Sequence, residues 1–312
     1  MTVGIAINNG KEAVAVTDCR VSGGGRQSDS VDKMGHFNLS NFSGVIFGTG
    51  PANHIEGILR NLDAFNAETL EEYIAQMQNI YSNEFHAYKE REVEASKKDI
   101  GMRAALITDE KERTDFIRKI IFDQLRDFEK SNQGALFSSV SYDQKRKKVR
   151  ILNFNLLNRF EMFTKTQCIG SGSEGADLSL STRLQGLDVT KLSPEELAYF
   201  ATNAYVISTM YQGVGGTPKL AKVTESGVTL YEQERAVALT NISGAFSSEY
   251  NPELTPRRTI DLFSEVMNKE KPNYQTIARL LKLNTDALTT ICIPYSSWQE
   301  RSNRRLFPSK KE

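Results

Sequence analysis

The sequence predicts an α+β protein built as a four-layer αββα sandwich, two antiparallel sheets face to face with a pair of helices on each outer side. The order of local signals carries the prediction: strands, then helices, strands again, a helix, and further strands. The turns between successive strands are short, which favours antiparallel pairing. A chain of 312 residues with 39% hydrophobic side chains has ample material for a buried core.

TVGIAIN (2–8) and EAVAVTD (12–18) read as a β-hairpin about a two-residue turn at Asn9-Gly10, a pair that tolerates positive φ. VSGGGRQSDS reads as a loop, because three glycines and polar neighbours leave it no face to bury. DKMGHFNL (32–39) and SGVIFGTG (43–50) form a second strand pair, the latter apolar throughout like a strand covered on both faces. Helix begins near Pro51 with IEGILRNLDAF. After an acidic start at Ala67-Glu68-Thr69, the residues Leu70, Tyr73, Ile74, Met77, Ile80, Tyr81, Phe85 and Tyr88 recur at helical spacing, a stripe for core or inter-helix packing. KEREVEASKK is a solvated helix face and DFIRKIIFDQLRDFEK an amphipathic segment, with breaks around Gly101 and Asp109.

Strand signals return at GALFSSVSYD (134–143) and KKVRILNFNL (147–156), joined by a turn whose basic residues solvate its tip. SPEELAYFATNAYVISTMYQ opens on Ser-x-x-Glu, a helix capping box. GGTPKLAKVTESGVTLYE holds two more strands about Ser226-Gly227. Past the linker-like NPELTPRR, TIDLFSEVMN and NYQTIARLLKLN read as short helices and ALTTICIPY as a short apolar strand.

Lys plus Arg and Asp plus Glu both total 39, so no net field draws the chain to nucleic acid or to an anionic membrane. There is no uninterrupted apolar run long enough to span a bilayer, and the first residues lack a signal-peptide pattern; a cytoplasmic protein is expected. Cys19, Cys168 and Cys292 are odd in number and widely spaced, which fits reduced thiols better than a disulfide framework or a zinc site. With His36, His54 and His86 the only histidines, a histidine-rich metal centre is not expected, and no cofactor is.

The second residue is where chemistry gathers. Methionine aminopeptidase removes an initiator Met before a small residue, and Thr2 is small, so the mature chain would carry a hydroxyl and a free α-amine on one residue. An α-amine titrates near pH ~8, close enough to working pH to take the hydroxyl proton. The first hairpin returns Asp18 and Arg20 beside that terminus, and the next strand supplies Lys33. A lysine ammonium near Thr2 would lower the pKa of hydroxyl and amine alike, with Asp18 holding Lys33 charged.

TVGIAI, AVAVTDCRVS, VDKMGHF and GVIFGTGPA in that order, followed by CIGSGSEGADL, resemble proteasome β subunits and their bacterial and archaeal relatives, members of the N-terminal nucleophile hydrolases. The resemblance covers residues 2–60 and 134–230. It implies Thr2 as nucleophile, Asp18 and Lys33 as the activating charge pair, Arg20 as a supporting residue, Gly48 as the oxyanion-hole N–H donor and Ser171 as partner of the terminal amine. By position alone, Val21, Val31, Thr49 and Ala52 are implied at the substrate pocket. A peptide or protein substrate and a homo-oligomer, ring-like in the family, are implied as well; an unfoldase partner is not specified.

Five departures stand beside it. Where the family carries an Asp and a Ser ahead of a Gly-Gly, this chain has Tyr211 and Val214; the spacing from Thr2 to Lys33 is shorter; the usual propeptide is missing, so Met1 alone must be removed. A helical insertion at about 83–132 and a C-terminal extension at 245–312, beyond a domain over 1–240, are foreign to ordinary subunits. The insertion points to a changed assembly surface, a lid or the loss of the ring. Hydrolysis of peptide or amide bonds through an acyl-enzyme is the leading expectation. A non-catalytic scaffold subunit, or a transpeptidase or ligase resembling the connectases, are the alternatives.

Overall fold

In the computed structural model the chain is described over residues 2–23, 26–28, 32–130, 135–154, 160–163, 165–211 and 214–306. The elements run β1 (Gly4–Asn8), β2 (Ala13–Asp18), β3 (Val21–Gly23), β4 (Arg26–Ser28), β5 (Met34–Asn38), β6 (Phe42–Thr49), α1 (Ala52–Arg60), α2 (Leu70–Ala104) and α3 (Glu110–Lys130). They continue with β7 (Leu136–Asp143), β8 (Lys148–Phe154), β9 (Phe160–Phe163), β10 (Thr166–Ile169), α4 (Ser173–Leu184), α5 (Pro194–Ser208), β11 (Pro218–Thr224), β12 (Gly227–Leu230) and α6 (Gln233–Ser247). The chain closes with α7 (Pro256–Asn268), α8 (Tyr274–Leu280), α9 (Thr285–Thr290) and α10 (Tyr295–Leu306).

The expected α+β architecture forms. One sheet has the order β10-β1-β2-β11-β12 and the other β5-β6-β7-β8-β9, every pairing antiparallel. Alternation sorts the side chains of β1 and β2. Ala6, Ala13 and Ala15 face the other sheet, where their small size admits Val45, Phe47, Val140, Tyr142 and Ile151. Val3, Ile5, Ile7, Val14 and Val16 face α4, α5 and α6. On the far side, the Tyr73, Met77 and Tyr81 stripe of α2 packs with α1 residues Ile55 and Ile58 on Phe137, Leu152 and Phe154.

The helix α2 is 35 residues long, opened by a capping box between Thr69 and Glu72. Its distal part leaves the sheet and pairs with α3, which forms the insertion as a helical hairpin. The C-terminal segment is not set apart from the core. Phe263, Val266, Leu281, Leu288, Ile293 and Trp298 lie in one hydrophobic cluster with Val3 and Ile5, and the boundary expected at 240–245 falls inside α6. One buried side chain holds the strap between α8 and α10: Asn241 donates to the carbonyls of Ala287 (3.3 Å), Leu288 (3.0 Å) and Ile291 (2.8 Å) and accepts from Ile293 N–H (3.0 Å). No helix among the described residues is long and apolar enough to cross a membrane.

Three local readings are corrected. The turn at Asn9-Gly10 is a four-residue loop, Asn8 pairing with Ala13, because Asn9 Oδ1 accepts the Lys11 and Glu12 N–H groups and closes a wider turn. Part of VSGGGRQSDS forms the small hairpin β3–β4, with Val21 paired to Ser28 and Gly23 to Arg26. ALTTICIPY is helix α9 followed by extended chain, since Asn284 caps the Ala287 N–H (2.6 Å) and Leu288 finds its burial on a helix face.

Candidate active site

The first hairpin places the start of the chain between β2 and β10. Thr2 and Val3 continue the line of β1, with Asp18 N–H donating to Val3 O (3.2 Å) and Thr17 Oγ1 to the same oxygen (3.0 Å). Thr2 is buried, 6% exposed, in spite of its position near the terminus. Its flank is the turn after β10. Thr2 N–H donates to Ser171 Oγ (3.0 Å) and Gly172 N–H donates to Thr2 O (3.2 Å), so both backbone polar groups of Thr2 are held. Gly170 permits this approach: its φ is +95°, and a Cβ there would lie 2.3 Å from Thr2 O.

Lys33 reaches in from the start of β5. Its ammonium donates to Thr2 Oγ1 (2.8 Å), to Asp18 Oδ1 (3.0 Å) and to the Arg20 carbonyl. Lys33 is 1% exposed and Asp18 fully buried, so this ion pair has left water and depends on such contacts. Asp18 Oδ1 also accepts Val3 N–H (3.2 Å), whereas Oδ2 has no partner within hydrogen-bond distance among the described residues. Burial pushes the Asp18 carboxyl up to about 6, opposed by Lys33, by the Val3 N–H and, at longer range, by the Gly215 N–H. Because Lys33 donates to the Thr2 hydroxyl, Oγ1 is the acceptor in that bond and its own proton is directed elsewhere.

Thr2, Asp18, Lys33 and Ser171 thus meet at one point, and Arg20 joins through a backbone carbonyl that no sequence motif flags. Gly48 requires a correction. Its N–H donates to the Lys33 carbonyl (2.9 Å) as the continuation of the β5–β6 ladder, and it is not free for an oxyanion. The chain then turns at Thr49 and Gly50. Thr49, 5% exposed, lies beside Gly170, the residue that meets Thr2 O: its Cγ2 is 2.9 Å from the point a Cβ on Gly170 would occupy. Ala52 is half-buried at the first position of α1. Met1 and Val31 lie outside the described residues, as does the side chain of Val21.

The departures from the family pattern occupy the amine side. Val214 Cγ2 comes within 2.9 Å of the Cβ position of Gly172, and Tyr211 packs over Gly175, so apolar groups stand where an Asp and a Ser were expected. The C-terminal segment reaches this region too. Thr290, Ile291, Cys292 and Pro294 share with Arg20 and Gly215 the walls of a cavity of about 300 Å³. The half-buried Cys292 has its thiol pKa pushed up to about 12 by burial.

No protein-family model and no curated protein matches the chain. Among solved structures it is similar to Anbu, an ancestral β-subunit, from Yersinia bercovieri, with a TM-score of 0.50 at 12% identity over 73% of this chain and 86% of that one. An Anbu (Gly-1) mutant from Hyphomicrobium sp. strain MC1 gives 0.49 at 12% identity, over 74% and 86% of the two chains. The chain has the fold of the ancestral β-subunit from Yersinia bercovieri.

Proposed function

We propose that the protein is an N-terminal threonine hydrolase acting on peptide or amide bonds, with Thr2 as nucleophile once Met1 is removed. The observation that carries the reading is the Lys33 ammonium 2.8 Å from Thr2 Oγ1 and 3.0 Å from the buried Asp18 carboxylate. A buried ion pair is expensive, and this one is aimed at a hydroxyl.

The chemistry then follows. Lys33 is a hydrogen-bond donor to Oγ1, so it stabilises developing alkoxide character and is not the base. The α-amine of Thr2, freed from Met1 and beside Ser171, accepts the hydroxyl proton as Oγ1 bonds to the substrate carbonyl carbon. The carbonyl oxygen becomes an oxyanion, met by the Gly50 N–H beyond the end of the β6–β7 ladder. On collapse, the C–N bond breaks, the leaving amine takes the proton from the α-ammonium, and an ester to Thr2 remains. Water adds to that ester with the α-amine again taking the proton, and Thr2 is released with the carboxylic acid product.

The apolar contacts of Val214 and Tyr211 favour one competing reading, a catalytically silent scaffold with the same fold. Treatment with an epoxyketone, which needs both the hydroxyl and the amine, separates them. The hydrolase forms a covalent adduct lost in Thr2→Ala; a chain that forms none is a scaffold. Homo-oligomerisation and a proteinaceous substrate belong to the same proposal, and sedimentation of the purified chain tests the former.

A further inference from the structure

We propose that His54 and Tyr81 are positioning residues that clamp both polar groups of the Ala135 backbone and thereby fix the Thr49–Gly50 turn against Thr2. The role rests on the reading of Thr2 as nucleophile.

His54 lies in the first turn of α1 and is fully buried. Its ring sits among Tyr81 (5.1 Å between centroids), Phe85 (5.7 Å), Tyr88 (5.7 Å, parallel within 2°) and Phe137 (6.1 Å). In that enclosure burial pushes the imidazole pKa down to about 4, so it is neutral near pH ~7, and its tautomer follows from its bonds. Nδ1 accepts the Ala135 N–H at 3.0 Å and therefore carries no proton; Nε2 has no partner within hydrogen-bond distance among the described residues, and only a longer-range backbone interaction with Tyr81 favours its protonated form. Tyr81, from α2, donates its hydroxyl to the Ala135 carbonyl. Two helices thus hold the N–H and the C=O of one residue.

Ala135 is where the chain returns to the sheet after the insertion, and the turn rests on it. Gly50 has φ +122°, and a Cβ there would lie 2.9 Å from Ala135 Cα. The next residue, Leu136, pairs with Thr49, and Thr49 meets the Gly170 turn that carries Thr2. The line of contact runs from His54 and Tyr81 through Ala135 and Leu136 to the turn that faces the nucleophile. A phenylalanine would fill the aromatic box without leaving a buried Nε2 unpartnered, so an imidazole there points to a need for the Nδ1 acceptor.

The test compares His54→Phe, which keeps ring volume and removes the acceptor, with His54→Asn, whose Oδ1 restores an acceptor near the Nδ1 position. The expected result is a fall of at least ~10-fold in the rate constant of Thr2 acylation at saturating reagent for His54→Phe, with little change in the reagent's binding constant, and substantial recovery in His54→Asn. Tyr81→Phe should fall in the same direction. Amide hydrogen exchange at Gly50 and Leu136 should be faster in His54→Phe than in His54→Asn. Acylation by His54→Phe at the wild-type rate overturns the proposal, and so does equal slowing in the two His54 variants, which would mark packing alone. Should wild-type Thr2 fail to acylate, the hydrolase reading falls, and the exchange rates still decide whether the clamp exists: equal protection in the two variants would deny it.

Discussion

Replacing Asp18 by Asn preserves the shape of the side chain and removes its titration, which makes it a sharp probe of the buried ion pair. In the folded chain burial lifts this carboxyl from its ordinary 3.8 to about 6. At low pH both the folded and the unfolded chain hold the proton, and the group costs folding nothing. As pH rises between about 4 and about 6 the unfolded chain releases its proton first, binds fewer protons than the native state, and stability falls. Above that window both states are ionised and the cost is constant, about 3 kcal/mol at about 1.36 kcal/mol per pH unit. Urea unfolding of wild type and Asp18→Asn across this range gives the assay. Wild-type stability minus variant stability should shrink by about 2 kcal/mol from about pH 4 to about pH 7, whatever the constant offset caused by an amide beside Lys33. A difference that is flat with pH, or that grows as pH rises, would refute the reasoning, because it would mean that Asp18 ionises in the fold at or below its ordinary pKa. The same titration should appear in the acylation rate of Thr2, rising as pH passes about 6.

Three further outcomes follow from individual contacts. Lys33→Ala strands the buried Asp18 carboxylate; it should lower stability by about 3–5 kcal/mol at neutral pH and reduce Thr2 acylation by ~10²-fold or more, measured by urea unfolding and by rate of labelling. Gly170→Ala forces a Cβ to within 2.3 Å of Thr2 O at a positive φ, so acylation should be lost with a destabilisation of about 1–3 kcal/mol; a near-native rate would show that this turn does not hold Thr2. Asn241→Ala removes the four bonds that hold the strap between α8 and α10; at about 1 kcal/mol per bond, unfolding should be easier by about 4 kcal/mol and proteolysis should begin in residues 285–295.

The elements legible in the sequence are those whose pattern is local. The period-2 runs of β1, β2, β7 and β8 and the helical stripe from Leu70 to Tyr88 state their own secondary structure and which face is buried. The grouping of Thr2, Asp18, Lys33 and Ser171 was readable because ordered motifs named them, although only the fold brings residue 171 to residue 2. Most of what escaped was decided by contacts distant in the chain. Gly48 looks like an oxyanion donor in one dimension, but the β5–β6 register delivers its N–H to Lys33 O. ALTTICIPY is apolar enough for a strand, yet Asn284, a cap signal visible just ahead of it, turns it into a helix. The polar-looking segment SSWQERSNRRL gives little sign of a core helix, because the fully buried Trp298 does the anchoring beside Tyr250. His54, Tyr81 and Asn241 carry no local signal at all, since each acts on backbone between 46 and 81 residues away.

The central claim is that Thr2 becomes a free N-terminal nucleophile, and the identity of the first residue of the purified chain tests it most directly. Intact mass and N-terminal sequencing before and after treatment with a β-lactone should show loss of Met1 and one ester adduct on Thr2, absent in Thr2→Ala. A chain that keeps Met1 joined to Thr2, or a Thr2→Ala variant labelled as well as wild type, would contradict the account.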